Sequence, residues 1–110
     1  MILTGKTLLQ KNKFKKAYEL LQSYIKNSNI KNPDLFYLYG ETCRKLKYME
    51  DAEKYYQKAA FLYRLLTKND PDTYATILAD QYSDLAVLYE DMNDKYRAKE
   101  YRKKALNPYV

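Results

Sequence analysis

No histidine and no tryptophan occur among the 110 residues of this chain, and Cys43 is the single cysteine. Without histidine the commonest general base and metal ligand is gone. One thiol excludes an internal disulfide. With no imidazole to activate it, Cys43 reads as a structural thiol rather than a nucleophile. Two glycines and three prolines are too few for a loop-rich or all-β protein. No apolar run reaches the roughly 18 residues of a membrane span. The opening stretch MILTGKTLLQKNK lacks the apolar core of a secretory signal, so cytoplasm is the expected compartment. Gly5-Lys6-Thr7 has neither the glycine-rich run nor the preceding strand of a phosphate-binding loop. The acids Asp70, Asp72, Asp80, Asp84, Glu90, Asp91 and Asp94 lack the ligand spacing and turn glycine of a calcium loop. No metal, no cofactor and no catalysis are expected.

What the chain does have is tyrosine, 14 residues against three phenylalanines. Tyrosine suits half-buried helix seams, where the ring packs and the hydroxyl stays bonded or wet. Hydrophobic content of 46% is enough for the core of one domain. The net charge is +6 and unevenly placed. Residues 1–32 carry +6, residues 33–68 carry +2 and residues 69–110 carry −2. Excess positive charge thus belongs to the first segment rather than to the whole surface.

The clearest stretch is Phe36 to Ala60. Phe36, Tyr39, Gly40 and Cys43 share one stripe of a helix, and Ala52, Tyr55, Tyr56, Ala59 and Ala60 share another. Lys47-Tyr48-Met49-Glu50 between them leaves room for a tight turn only, which forces antiparallel neighbours. Alone, this stretch fits either an ordinary bundle hairpin or a repeat unit. The whole chain reads as six helices, over about 1–10, 14–26, 33–47, 50–68, 71–92 and 95–106. Asn12 sits in the first turn and can take the left-handed angle that ends a helix. Asn27 to Asn32 reads as a polar loop, Pro33 and Pro71 fit first helical positions, and Asp70 and Asp94 can cap. The fifth helix has Tyr74, Ile77, Leu78, Tyr82, Leu85, Ala86, Leu88 and Tyr89 as inward candidates.

A repeat joins these elements. Gly5, Gly40 and Ala86 are matching small residues in the odd helices, and Ala17, Ala52 and Ala98 match in the even ones. Both series step by 35 and then 46 residues, with 12 residues inside each pair. Three units follow, approximately 1–32, 33–68 and 69–110, within one domain.

These residues resemble tetratricopeptide repeats. Phe36, Tyr39, Gly40, Cys43, Ala52, Tyr56 and Ala59 fall on the motif, as do Tyr82, Leu85, Ala86, Tyr89, Ala98 and Ala105. The first unit matches through Gly5, Leu8, Phe14, Ala17 and Leu21. Departures are a short first helix, Arg102 where an aromatic is usual, and a step between units two and three stretched by about 12 residues. That stretch is similar to longer-helix variants common in bacterial tandem arrays. The resemblance implies an all-α, right-handed solenoid of three antiparallel helix pairs, with a concave surface lined mainly by the odd helices. It implies a non-catalytic scaffold or adaptor that holds a peptide or helix of a partner in that groove.

The groove faces expected from this register are Asp34, Tyr37, Glu41, Arg44 and Lys45 on the third helix and Asp80, Ser83, Val87, Glu90 and Asp91 on the fifth. The first helix adds Ile2, Lys6, Leu9 and Gln10. A mixed third helix and an acidic fifth favour a ligand with basic character. Tetratricopeptide domains that hold acidic chaperone tails use a basic clamp; the matching places here are Ile2, Lys6, Leu38, Asp80 and Asp84. Two of these would repel a carboxylate, so that ligand is disfavoured.

Two other readings stand beside the groove. Lys11, Lys13, Lys15 and Lys16, and then Arg97, Lys99, Arg102, Lys103 and Lys104 with Tyr96 and Tyr101 interleaved, suit nucleic-acid binding. The stunted first helix and the apolar end Leu106-Asn107-Pro108-Tyr109-Val110 suit a segment of a longer array, or a homo-oligomer that stacks on a copy of itself.

Overall fold

Among the described residues three other than glycine hold left-handed backbone angles: Asn12 (φ 59°), Lys47 (φ 67°) and Asn93 (φ 63°). Each closes a helix in the same way. The amide one residue further on donates back to a carbonyl five residues earlier: Lys13 to Leu8, Tyr48 to Cys43 and Asp94 to Tyr89, all at 2.8 Å. The left-handed residue itself donates to Leu9, Arg44 or Glu90 at 3.0 Å. This is a Schellman closure. These turns carry the same 35- and 46-residue steps as the small-residue series.

The structure is a computed structural model that describes residues 2–27 and 31–109. Six helices follow in order: α1 (Ile2–Gln10), α2 (Phe14–Asn27), α3 (Pro33–Lys45), α4 (Met49–Asn69), α5 (Pro71–Asp91) and α6 (Lys95–Leu106). No strand occurs among the described residues. The ends lie within two residues of those expected from the sequence. Residues 28–30, half of the expected polar loop, lie outside the described residues. The caps are local chemistry. Asn32 accepts from the Asp34 and Leu35 amides, Asp70 from Thr73 and Asp94 from Arg97, while Pro33 and Pro71 open their helices.

Packing runs α1 on α2, α3 on α4 and α5 on α6, with α4 on α5 and α2 on α3 joining the pairs. The result is an all-α solenoid of stacked antiparallel hairpins, 36 × 33 × 23 Å in extent. Every member of the two small-residue series is buried: Gly5, Gly40, Ala86, Ala17, Ala52 and Ala98. At Gly40 a Cβ would stand 2.6 Å from Cδ1 of Tyr56 and 3.2 Å from its backbone nitrogen, so the ring and main chain of α4 lie directly on α3. Fully buried Tyr56, Tyr89, Leu21, Leu78, Leu85 and Leu88 fill the core around these contacts. Rings pair along the seams: Tyr39 edge-on to Tyr55 at 4.7 Å, and Tyr89 stacked on Tyr101 at 5.4 Å.

One polar set ties α4 to the last hairpin. The Tyr89 hydroxyl donates to Glu53 at 2.7 Å, Gln57 donates to the Tyr101 hydroxyl at 2.7 Å, and Arg97 meets Glu53 at 3.1 Å. Thr42 and Thr67, buried in mid-helix, return their hydroxyl protons to the Leu38 and Tyr63 carbonyls, which satisfies both groups.

Two expectations need correction. Ile77 was expected in the core, but it is 40% exposed. It falls on the concave side of α5, one helical turn from Asp80 and Gln81, where the core neighbour is an open cavity. Under the nucleic-acid reading Tyr101 would be a stacking surface. It is half-buried between Tyr82 and Tyr89, because α6 must bury one face against α5.

Candidate partner-binding groove

The odd helices do not close on each other. Between α3 and α5 a cavity of about 330 Å³ opens, walled by Lys6, Asp34, Tyr37, Leu38, Tyr63, Ile77, Asp80, Gln81 and Asp84. Helical spacing explains who lines it. Asp34, Tyr37 and Leu38 are three or four residues apart on α3, as are Ile77, Asp80, Gln81 and Asp84 on α5. α4 contributes Tyr63 from below. Its hydroxyl donates to Asp34, and burial followed by that carboxylate raises its pKa far above the usual range.

The electrostatics are one-sided. Among the described residues three carboxylates face the cavity and Lys6 is the single cation on its wall. Desolvation raises the pKa of Asp84; the Tyr37 hydroxyl opposes this, while Glu41 and Asp80 add to it. Tyr37 stacks on Tyr56 at 5.7 Å, and burial, then Asp84 and Glu41, push its own pKa up strongly. At the floor lies Gln81, 2% exposed. Among the described residues its Nε2 has no hydrogen-bond partner, and a buried amide left unpaired costs about 1–3 kcal/mol.

Toward the α3–α5 ends the groove is already braced. Arg44 bridges Glu41 (3.7 Å) and Asp91 (3.1 Å), and Glu41 also accepts the Tyr56 hydroxyl. Of the residues expected in the groove, Lys6, Asp34, Tyr37 and Asp80 line the cavity. Glu41, Arg44 and Asp91 form an ion-paired brace beside it. Lys45 and Ser83 are exposed outside its walls. Val87 is 44% exposed and also outside. Glu90 is turned onto α6, where it meets Arg102. Of the five places matching the chaperone clamp, Lys6, Leu38, Asp80 and Asp84 line the cavity; the side chain of Ile2 lies outside the described residues.

Sequence reasoning missed Gln81, Tyr63 and Ile77. A buried glutamine between Asp80 and Tyr82 was the available signal, since glutamine is seldom buried without a task. For Tyr63 there was none, because its partner Asp34 is 29 residues away.

The Cys43 thiol is fully buried, and desolvation, then Asp51, lifts its pKa to about 12. Among the described residues no cluster of metal-ligating side chains occurs, and no helix is long and apolar enough to cross a membrane. The basic residues of α6 are partly committed, Arg97 to Glu53 and Asp94, and Arg102 to Glu90. Tyr96 remains exposed at 74%. At the far end Leu106 and Tyr109 are exposed as well, at 87% and 69%.

Recurrent hairpins, small residues at fixed points, aromatics packed around them and an open concave face define a tetratricopeptide-type repeat protein, a fold built for holding other proteins. The family described as anaphase-promoting complex, cyclosome, subunit 3 matches residues 1–59, and the chain belongs to that tetratricopeptide-type family. Comparison with curated proteins finds no match.

Proposed function

We propose that this chain is a non-catalytic scaffold whose concave cavity between α3 and α5 holds a peptide or helix of a partner through basic side chains. The observation that carries this is the pairing of a one-sided acidic wall, Asp34, Asp80 and Asp84, with the unpartnered buried amide of Gln81. A lysine or arginine entering the cavity meets the carboxylates. The segment's main-chain carbonyl takes the Gln81 N–H, and Tyr37 supplies a flat wall beside it. The family match supports the reading, since its description names a subunit of an assembly.

The test is titration of the intact chain with a lysine-rich and a glutamate-rich version of one synthetic peptide. The lysine version should bind more tightly, and Asp80→Lys combined with Asp84→Lys should weaken it by about tenfold or more. Preference for the glutamate version, or indifference to the double substitution, sinks the reading. Asp80 and Asp84 are better targets than Glu90, which α6 already engages.

A further inference from the structure

Two residues along α4 from Tyr63, and so roughly 200° around the helix, Phe61 points away from the groove and is 52% exposed. Two adjoining hollows meet at this ring. One, of about 450 Å³, is walled by Lys31, Phe36, Lys58 and Phe61, with Gln57 and Leu62. The other, of about 110 Å³, adds Arg64 and Lys104. Among the described residues no carboxylate lines either hollow, and neither shares a lining residue with the acidic cavity. Among the described residues none of these four cations is paired with a carboxylate. Three of them rest on rings instead: Lys58 over Phe36 at 5.6 Å, Arg64 over Phe61 at 5.9 Å and Lys104 over Tyr101 at 4.6 Å. One turn beyond Phe61, Leu65 is exposed at 42%.

An open aromatic ringed by unneutralised cations is complementary to one chemistry, apolar side chains flanked by carboxylates. We propose that this face of α4 is a second docking site, and that it takes an acidic amphipathic segment of a partner protein. Its apolar side chains seat between Phe36 and Phe61, and its carboxylates meet Lys31, Lys58, Arg64 and Lys104. A nucleic acid suits the charge but not the rings. The larger hollow is walled by the apolar side chains of Phe36, Phe61 and Leu62, which favour alkyl groups over a charged phosphodiester backbone. The chain then carries two surfaces of opposite sign, and it can hold a basic segment and an acidic one at once.

The experiment uses the intact chain and a fluorescent helical peptide of about 14 residues, with leucine at i, i+3, i+4 and i+7 and glutamate elsewhere. Its lysine-for-glutamate counterpart and a single-stranded oligothymidylate are the comparisons. The glutamate peptide should bind at least about tenfold more tightly than either. Phe61→Ser should weaken it about tenfold, as loss of a central aromatic anchor does. Asp80→Lys with Asp84→Lys should leave it unweakened, which separates this site from the groove. Should Phe61→Ser lower helicity, Lys58→Glu with Arg64→Glu, both on exposed positions, gives the same decision. No binding of the glutamate peptide overturns the proposal. So does preference for the oligothymidylate, or binding that survives both the Phe61 and the Lys58/Arg64 changes.

Discussion

At the scale of the residue, two glycines hold two different kinds of contact. A Cβ on Gly5 would meet only the Leu21 side chain, its nearest atom at 2.9 Å, and a leucine terminus can swing aside. A Cβ on Gly40 would meet the Tyr56 ring at 2.6 Å and its backbone nitrogen at 3.2 Å. That ring is fully buried, stacked on Tyr37 and bonded through its hydroxyl to Glu41, so it has nowhere to go. Alanine gains about 1 kcal/mol of helix propensity over glycine, and overpacking costs about 1–3 kcal/mol. Gly40→Ala should therefore destabilise by up to about 2 kcal/mol, while Gly5→Ala should not destabilise. Chemical denaturation of both variants checks this, and equal losses would refute the distinction. The sequence marked both glycines as contact points. It could not rank them, because the rank depends on how freely the atom across the interface moves.

At the scale of the element, the three hairpins differ in how well their turns are made. Each uses one left-handed residue, and two of the three are asparagine, which tolerates that angle. Lys47 does not share the advantage, and its helix α4 starts without a side-chain cap at Tyr48. Lys47→Gly should relieve the backbone and stabilise by roughly 0.5–1 kcal/mol, read as a rise in the unfolding midpoint. The same change at Asn12 or Asn93 should gain less. Helix positions were legible to within two residues because caps, prolines and apolar stripes are local signals. Ile77 was misread for one reason. A helical stripe says which residues lie together, but not whether another helix or an open cavity lies opposite.

At the scale of the whole molecule, charge is sorted by surface, with the acidic cavity between α3 and α5 and the basic hollows along α4. Asp84 shows the consequence of that sorting. Its folded pKa lies above its ordinary 3.8, chiefly through desolvation. The folded state therefore binds this proton more readily than the unfolded chain, and the group's ionisation costs stability above its folded pKa. The cost fades as pH falls through the folded pKa and is gone below 3.8. Asp84→Asn should accordingly stabilise the protein at pH 7, with the difference closing toward pH 3. Denaturation across that range measures it, and a constant difference at all pH values refutes it. The same substitution should weaken a basic peptide in the cavity, a case of stability given up for binding.

The sequence by itself determined the helices, their turns and the recurrence that makes the chain a tetratricopeptide-type solenoid. Those features rest on interactions within a few residues and on small side chains repeated at fixed steps. Only the tertiary structure decided which acids face one another, that Gln81 is buried without a partner, that Glu90 belongs to α6 and that Phe61 stands among unpaired cations. These are meetings between residues far apart in the chain. They depend on how α3, α5 and α6 are turned about their own axes, and packing the whole core sets that rotation.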